Sequence, residues 1–229
     1  IPAEVTAIGD SAFQNCLGLT KVIIPSGVTT IGHSAFKGCA ELTEVVFSEG
    51  LQTIEHYAFQ NCAMLQTLAL PDSLTGLGDY AFQNCTGLTN VVIGDGLTAI
   101  GNYAFQTCTG LTAVTFGENL KTIGQYAFYR CTGLQSLVLP DGLEIIGHYA
   151  FSDCSGLTGD LTIPGSVTEI GNYAFQSCTG LNGKLTIEPG AKRITYGVFS
   201  NCYNLTELEL GEGITLIDQN AFYNCYSLT

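Results

Sequence analysis

The sequence predicts a repeat solenoid of the α/β type: a right-handed, curved array of coils with a parallel β-sheet on its concave face and short helical turns opposite. Two observations carry this. The motif A-F-x-x-C recurs down the whole chain, with Phe13, Phe36, Phe59, Phe82, Phe105, Phe128, Phe151, Phe175, Phe199 and Phe222 each followed three residues later by a cysteine. The spacing is 23 residues at seven steps and 24 at two, and self-similarity at such a period marks coils that bury their apolar face only against their neighbours. Composition agrees. Charged residues make up only 12% of the chain and Gly supplies 28 of 229, against roughly a quarter charged in ordinary domains. Low charge and high Gly suit coils that bend tightly and stack closely.

Within one coil, Leu19 to Leu42, the elements follow in order. Leu19-x-x-Val22-x-Ile24 reads as a strand, because Val22 and Ile24 are two apart and point inward while Lys21 and Ile23 point out. Pro25-Ser26-Gly27 ends it, since Pro removes a ladder donor and Gly permits the turn. Val28 and Ile31 re-enter the core and Gly32 allows another bend. Ser34-Ala35-Phe36-Lys37-Gly38-Cys39 then reads as a short helical turn, whose spacing of three and four puts Ala35, Phe36 and Cys39 on one inward face. The residue before Ala falls on the outward side.

The L-x-x-L-x-L core is that of a leucine-rich repeat. Where Asn or Cys is expected after it, successive coils carry Gly27, Gly50, Ser73, Gly96, Asn119 and Gly142, with Asn in only one of them, so the usual buried asparagine ladder is absent. The whole pattern resembles the BspA-like leucine-rich repeats, with consensus I-P-x-x-L-x-x-I-G-x-x-A-F-x-x-C followed by L-x-x-I-x-L-P. Leu97 to Cys108 shows it cleanly; Glu55, Thr195 and Asp218 replace the Gly, and Val198 replaces the Ala. The resemblance covers essentially the whole chain. It implies a surface or secreted microbial protein, in some members an adhesin, acting on a protein or glycan ligand without catalysis. Alternatives are a stalk that holds another domain away from the cell, or an array that assembles end to end. Ile1-Pro2 aligns with Ile24-Pro25, Leu228-Thr229 stands where a strand would begin, and neither end carries a polar cap. Residues 1–229 are therefore expected to be one leucine-rich-repeat domain of about ten coils cut from a longer protein.

Equivalent positions of successive coils align about 4.8 Å apart, so columns carry the candidate sites. The outward strand column holds Ile23, Val46, Ala69, Val92, Thr115, Val138, Thr162, Thr186 and Glu209. Beside it runs Lys21, Glu44, Thr67, Asn90, Ala113, Ser136, Asp160, Lys184 and Glu207. From Thr67 to Val138 neither column carries a charge, which points to a partner surface centred on Ala69, Val92, Thr115 and Val138. A second candidate is the tyrosine column, Tyr57, Tyr80, Tyr103, Tyr126, Tyr149 and Tyr173, with Tyr80 to Tyr149 at its centre, because Tyr is enriched at interfaces. The bland alternative is a strip of rings that merely cover one another.

The formal net charge of -13 with only seven Lys and Arg argues against a nucleic-acid or anionic-membrane partner. No 18-residue apolar run provides a membrane span, and no nucleophile elbow, phosphate loop or H-E-x-x-H motif is present. All ten cysteines occupy one repeat slot, which suits free, buried thiols with parallel Cβ vectors better than disulfides or nucleophiles. No cofactor is implied. The acidic column Glu49, Asp72, Asp95, Glu118 and Asp141, and the polar column Asp10, His33, His56 and Asp79, hold the ligand types that Ca²⁺ and Zn²⁺ accept. They lack a dense binding pattern and read as solvated stripes. Calorimetric titration with either ion is expected to show no stoichiometric uptake; a clear rise in melting temperature would overturn this, since an ion bound only to the folded state stabilises it.

Overall fold

A computed structural model describes all 229 residues. Most coils contribute one longer and one shorter strand, and every pairing is parallel, between equivalent strands of adjacent coils. Lys21–Ile24, Glu44–Phe47, Thr67–Ala69, Asn90–Val92 and Ala113–Thr115 form one parallel sheet in chain order, and Leu161–Ile163, Lys184–Ile187 and Glu207–Leu210 form another. The predicted continuous sheet is thus split, with no strand over Ser136–Val138. A separate ladder of two-residue strands, such as Thr30–Ile31 on Thr53–Ile54, runs along the second side of the coil.

The third side is not helical, which corrects the expected short helical turns. No helix occurs anywhere. Two residues four apart take left-handed backbone in successive coils, for instance Tyr57 (φ 60) and Asn61 (φ 63), and no α-helix accommodates them. Between them the chain makes three-residue turn bonds, such as Lys37 N–H to the Ser34 carbonyl at 3.1 Å. Alternate amides reach the next coil instead: Ser34, Phe36 and Gly38 donate to the carbonyls of His56, Ala58 and Gln60 at 3.0, 2.7 and 2.8 Å. All three sides are therefore inter-coil ladders, and the backbone donors that a helix would satisfy internally are satisfied by stacking.

The inward face does hold the residues expected of it. Phe36 through Phe199 of the motif are fully buried with their cysteines. The phenylalanine rings stack nearly parallel, with centroids 5.0 Å apart at Phe36–Phe59 and 5.3 Å at Phe151–Phe175. One continuous apolar cluster of 64 residues runs through the stack. The glycine at the Gly101 position serves close approach rather than a bend: a Cβ there would lie 2.7 Å from the Leu77 carbonyl oxygen and 2.8 Å from the Gly78 backbone.

All ten cysteines are free thiols. Each buried thiol donates to the carbonyl of the phenylalanine in the preceding coil, as Cys62 does to Phe36 at 3.2 Å and Cys85 to Phe59 at 3.3 Å. This slot needs a small apolar donor, and Cys supplies it. Burial pushes Cys62, Cys108 and Cys154 up to about 12, and Cys85, Cys131 and Cys178 well above the ordinary thiol range.

The folded thiols hold their protons more tightly than unfolded ones, so their contribution to stability is complete below the unfolded value of about 8.5 and is lost as pH rises towards the folded values. Each contributes a slope of about 1.4 kcal/mol per pH unit in that window. Thermal melts between neutral pH and strong alkali should therefore fall steeply, and Cys62→Ala/Cys108→Ala/Cys154→Ala should show a shallower fall despite lower stability at neutral pH. An unchanged slope would contradict the assignment. A thiol reagent should reach the exposed Cys16 and the half-buried Cys225 in the native protein, and all ten thiols only after denaturation.

Candidate functional site

Strand alternation builds the candidate face. Leu68, Val91 and Val114 turn into the core, so Thr67, Ala69, Asn90, Val92, Ala113 and Thr115 turn outward, and all six are exposed. Register brings them into line: Ala69 pairs with Val92 and Val92 with Thr115. Val138 continues the column from outside any strand and is far more exposed, at 79% against 38% for Val92. The four strand-face candidates thus fall on one surface, three on a sheet and one on a segment released from it.

Charge is confined to the borders of this window. Lys21 pairs with Glu44 at 2.9 Å on one side, and Lys184 with Glu209 at 2.6 Å on the other. Elsewhere Lys121, Arg130 and Arg193 pair with Glu144, Asp153 and Asp218, and Lys37 lies over the Tyr57 ring at 5.3 Å. The scarce cations are nearly all engaged within the protein, which leaves the acidic excess to set the field around an uncharged strip.

Tyr80, Tyr103, Tyr126 and Tyr149 belong to a different column, in the turn after the short strands. Their rings stack face to face, with centroids 4.5 Å apart at Tyr80–Tyr103, 4.8 Å at Tyr103–Tyr126 and 4.7 Å at Tyr126–Tyr149. Every one is held in left-handed backbone, a conformation that a bulky residue adopts only under constraint, at a cost of about 1–2 kcal/mol. Stacking offsets that cost. It also covers the ring faces, so the tyrosines present edges and hydroxyls outward. Partial burial pushes the Tyr80 and Tyr126 phenols up, with neighbouring phenols adding to the shift.

The columns that read as solvated stripes turn out to be inter-coil acceptors. Glu49 accepts the Ser73 amide at 3.0 Å, Asp72 that of Asp95 at 2.9 Å and Asp95 that of Glu118 at 2.8 Å. In the other column Asp10, His56, Asp79, Asn102 and His148 accept the amide one coil further on, as at His56 Nδ1 from Asp79 N–H, 2.8 Å. His33 and His56 stack at 5.3 Å, but no group of three or more His, Cys, Asp or Glu gathers to hold a metal. Threonines add a further row, Thr89 Oγ1 donating to the Gln66 carbonyl and Thr112 Oγ1 to Thr89 at 3.0 and 2.9 Å. Sequence reasoning missed this role. The signal was available: the column before Tyr holds Asp10, His33, His56, Asp79, Asn102, Gln125, His148 and Asn172, each with an acceptor atom, and an acceptor is what an unpaired amide needs.

Three solved bacterial structures resemble the fold. A leucine-rich repeat protein from Bacteroides ovatus superimposes with a TM-score of 0.69 at 27% identity, over 100% of this chain and 73% of that one. The leucine-rich repeat protein of T. pallidum gives 0.54 at 26% identity, over 90% and 76%. A leucine rich cell surface protein from Faecalibacterium prausnitzii gives 0.51 at 26% identity, over 100% and 79%. No curated protein matches in sequence. The BspA type leucine rich repeat region, in six copies, matches residues 6–134 and 98–229. With its repeat unit, its phenylalanine and cysteine ladders and that match in agreement, the chain belongs to the BspA-type leucine-rich-repeat family.

Proposed function

We propose that this chain is a non-catalytic binding scaffold displayed at a bacterial cell surface, and that it contacts a protein or glycan through the long-strand face centred on Ala69, Val92, Thr115 and Val138. The observation that carries the reading is the uncharged, exposed strip on a chain of net charge -13. Desolvating Val92 and Thr115 exacts little, whereas a charged strip would have to be matched group by group. Solenoids also place their ligands on extended sheet faces, taken here as the concave side of a curved, right-handed array. Surface display is supported by the likeness to the F. prausnitzii cell surface protein. The tyrosine column takes the structural role in this reading, with its hydroxyl row as a secondary contact, because the ring faces that would stack on a sugar already cover one another.

Val92→Arg/Thr115→Arg places two guanidinium groups in the centre of the strip without touching the core. Ligands captured by the wild-type protein on an array of extracellular proteins and glycans should bind the variant at least about ten-fold more weakly, roughly 1.4 kcal/mol, with circular dichroism and melting temperature unchanged. Retained affinity with a native spectrum would remove this face from consideration.

A further inference from the structure

The chain holds a single Asn-Gly pair, Asn182-Gly183, and it falls where the repeat is one residue too long. Leu157 to Leu161 and Leu181 to Leu185 each carry one residue more than Leu134 to Leu137, and Gly159 and Gly183 are the additions. Asn182 is exposed, and its Oδ1 accepts the Gly159 N–H of the preceding coil at 2.9 Å. The Gly183 carbonyl is well used, taking both the N–H and the Oγ1 of Thr206 at 3.1 and 3.0 Å. The Gly183 N–H, in contrast, donates to no acceptor in the protein. Asp160 Oδ1 occupies the place that a Cβ on Gly183 would take, and accepts the Lys184 N–H at 2.8 Å.

These are the parts of an intramolecular acyl transfer. An uncommitted backbone nitrogen stands one residue after a carboxamide, so attack on that side chain is a unimolecular step. Glycine adds no Cβ to hinder the approach. The Gly159 N–H sits on the oxygen that takes up negative charge during the attack, at the separation expected of an oxyanion donor. Other positions lack the combination. Asn61 and Asn84 precede Cys, and Asn102 and Asn172 precede Tyr. Asp95-Gly96 and Asp141-Gly142 supply the glycine but offer a carboxylate, whose charge disfavours attack by a nucleophile. Thr158-Gly159 repeats the backbone one coil earlier without a carboxamide.

We propose that Asn182 is a self-modifying site, at which the fold promotes deamidation through a cyclic imide formed with Gly183. The Gly183 nitrogen loses its proton to hydroxide and bonds to Asn182 Cγ. The Cγ–Nδ2 bond then breaks, ammonia leaves, and a five-membered succinimide remains. Water opens either carbonyl of that ring, giving aspartate or isoaspartate, so each event consumes one water and releases one ammonia. Aspartate adds a negative charge to an already acidic chain. Isoaspartate also lengthens the main chain by one carbon at the entrance to Lys184–Ile187, which moves the Gly183 carbonyl away from its two bonds with Thr206 and loosens that inter-coil contact. The site is independent of the strand-face reading.

The test incubates the purified chain in mildly alkaline buffer and follows it by peptide mass mapping and ammonia release. The peptide that contains Asn182 should gain about 1 Da as its amide becomes an acid, at a rate that rises with pH. The native protein should react at least about ten-fold faster than the urea-unfolded chain, because only the fold supplies the Gly159 donor. Asn182→Gln keeps a carboxamide but needs a six-membered ring, and Asn182→Thr installs the residue found at Thr158. Each should lower ammonia release at least about ten-fold, with circular dichroism unchanged. No mass gain at Asn182, or undiminished ammonia release from Asn182→Thr, would overturn the proposal. So would a native rate below that of the unfolded chain, which would mean that the bond to Gly159 restrains the side chain instead of activating it.

Discussion

Everything in this molecule depends on one constraint: a coil has no core of its own. Its Phe, Cys, Leu and Ile side chains are covered only by the same residues one coil away, with Phe rings about 5 Å apart along the stack. A 23-residue loop closed around so few side chains cannot offset its ordering entropy alone, so stability resides in the interfaces and propagates along the array. The thiol bonds express the same dependence. Each cysteine from Cys39 onward satisfies a carbonyl in the preceding coil, so removing one loosens an interface rather than a coil. A buried Cys at this position is favoured by three requirements at once: small volume, apolar surface and a single weak donor.

Stacking like on like raises an electrostatic problem that the polar columns resolve. Five acidic residues in register repel, yet Glu49, Asp72 and Asp95 each accept a backbone amide from the following coil. A charge-assisted bond to an N–H is stronger than a neutral one, and amide dipoles in line beneath the carboxylates offset part of the repulsion. The same logic allows His56 and His148 to alternate with Asp79 and Asn102 in one slot, since each presents a lone pair to the next amide. What the slot selects is an acceptor, not a charge.

The core and the long strands were legible in the sequence because period and alternation act directly on burial: Phe36, Cys39, Val22 and Ile24 lie where spacing puts them. The helical turn was misread for a definite reason. A helix and a pair of left-handed residues around a tight turn both bring positions three and four apart to one face, so Ala35, Phe36 and Cys39 cannot distinguish them. The discriminating residues were the αL-tolerant Asn15, Gly38, Asn61, Asn84, Asn201 and Asn224 just before the cysteines, and the tyrosines opposite them hid the pattern by being poor αL formers. The strand-face column was legible by alternation, but the release of Val138 was not. Leu137-x-Leu139 is a faultless strand pattern, and it lies between two local departures from the repeat, Phe116 in the coil before and the extra residue at Gly159–Asp160 in the coil after.

In an array this regular, local information sits in the departures from the repeat. A consensus position serves its neighbours equally and so marks no place along the stack; Phe116 does mark one. Adding a ring to an aliphatic column leaves the inward face intact, because the ring finds an edge-on partner in Phe128, and the strand pairing ends in the coil that follows. The cost falls on backbone hydrogen bonds at a surface segment and not on the core. The sheet can thus be interrupted at one coil while the stack stays continuous, and the pairing also narrows to Glu44 with Thr67 in the coil after Phe47.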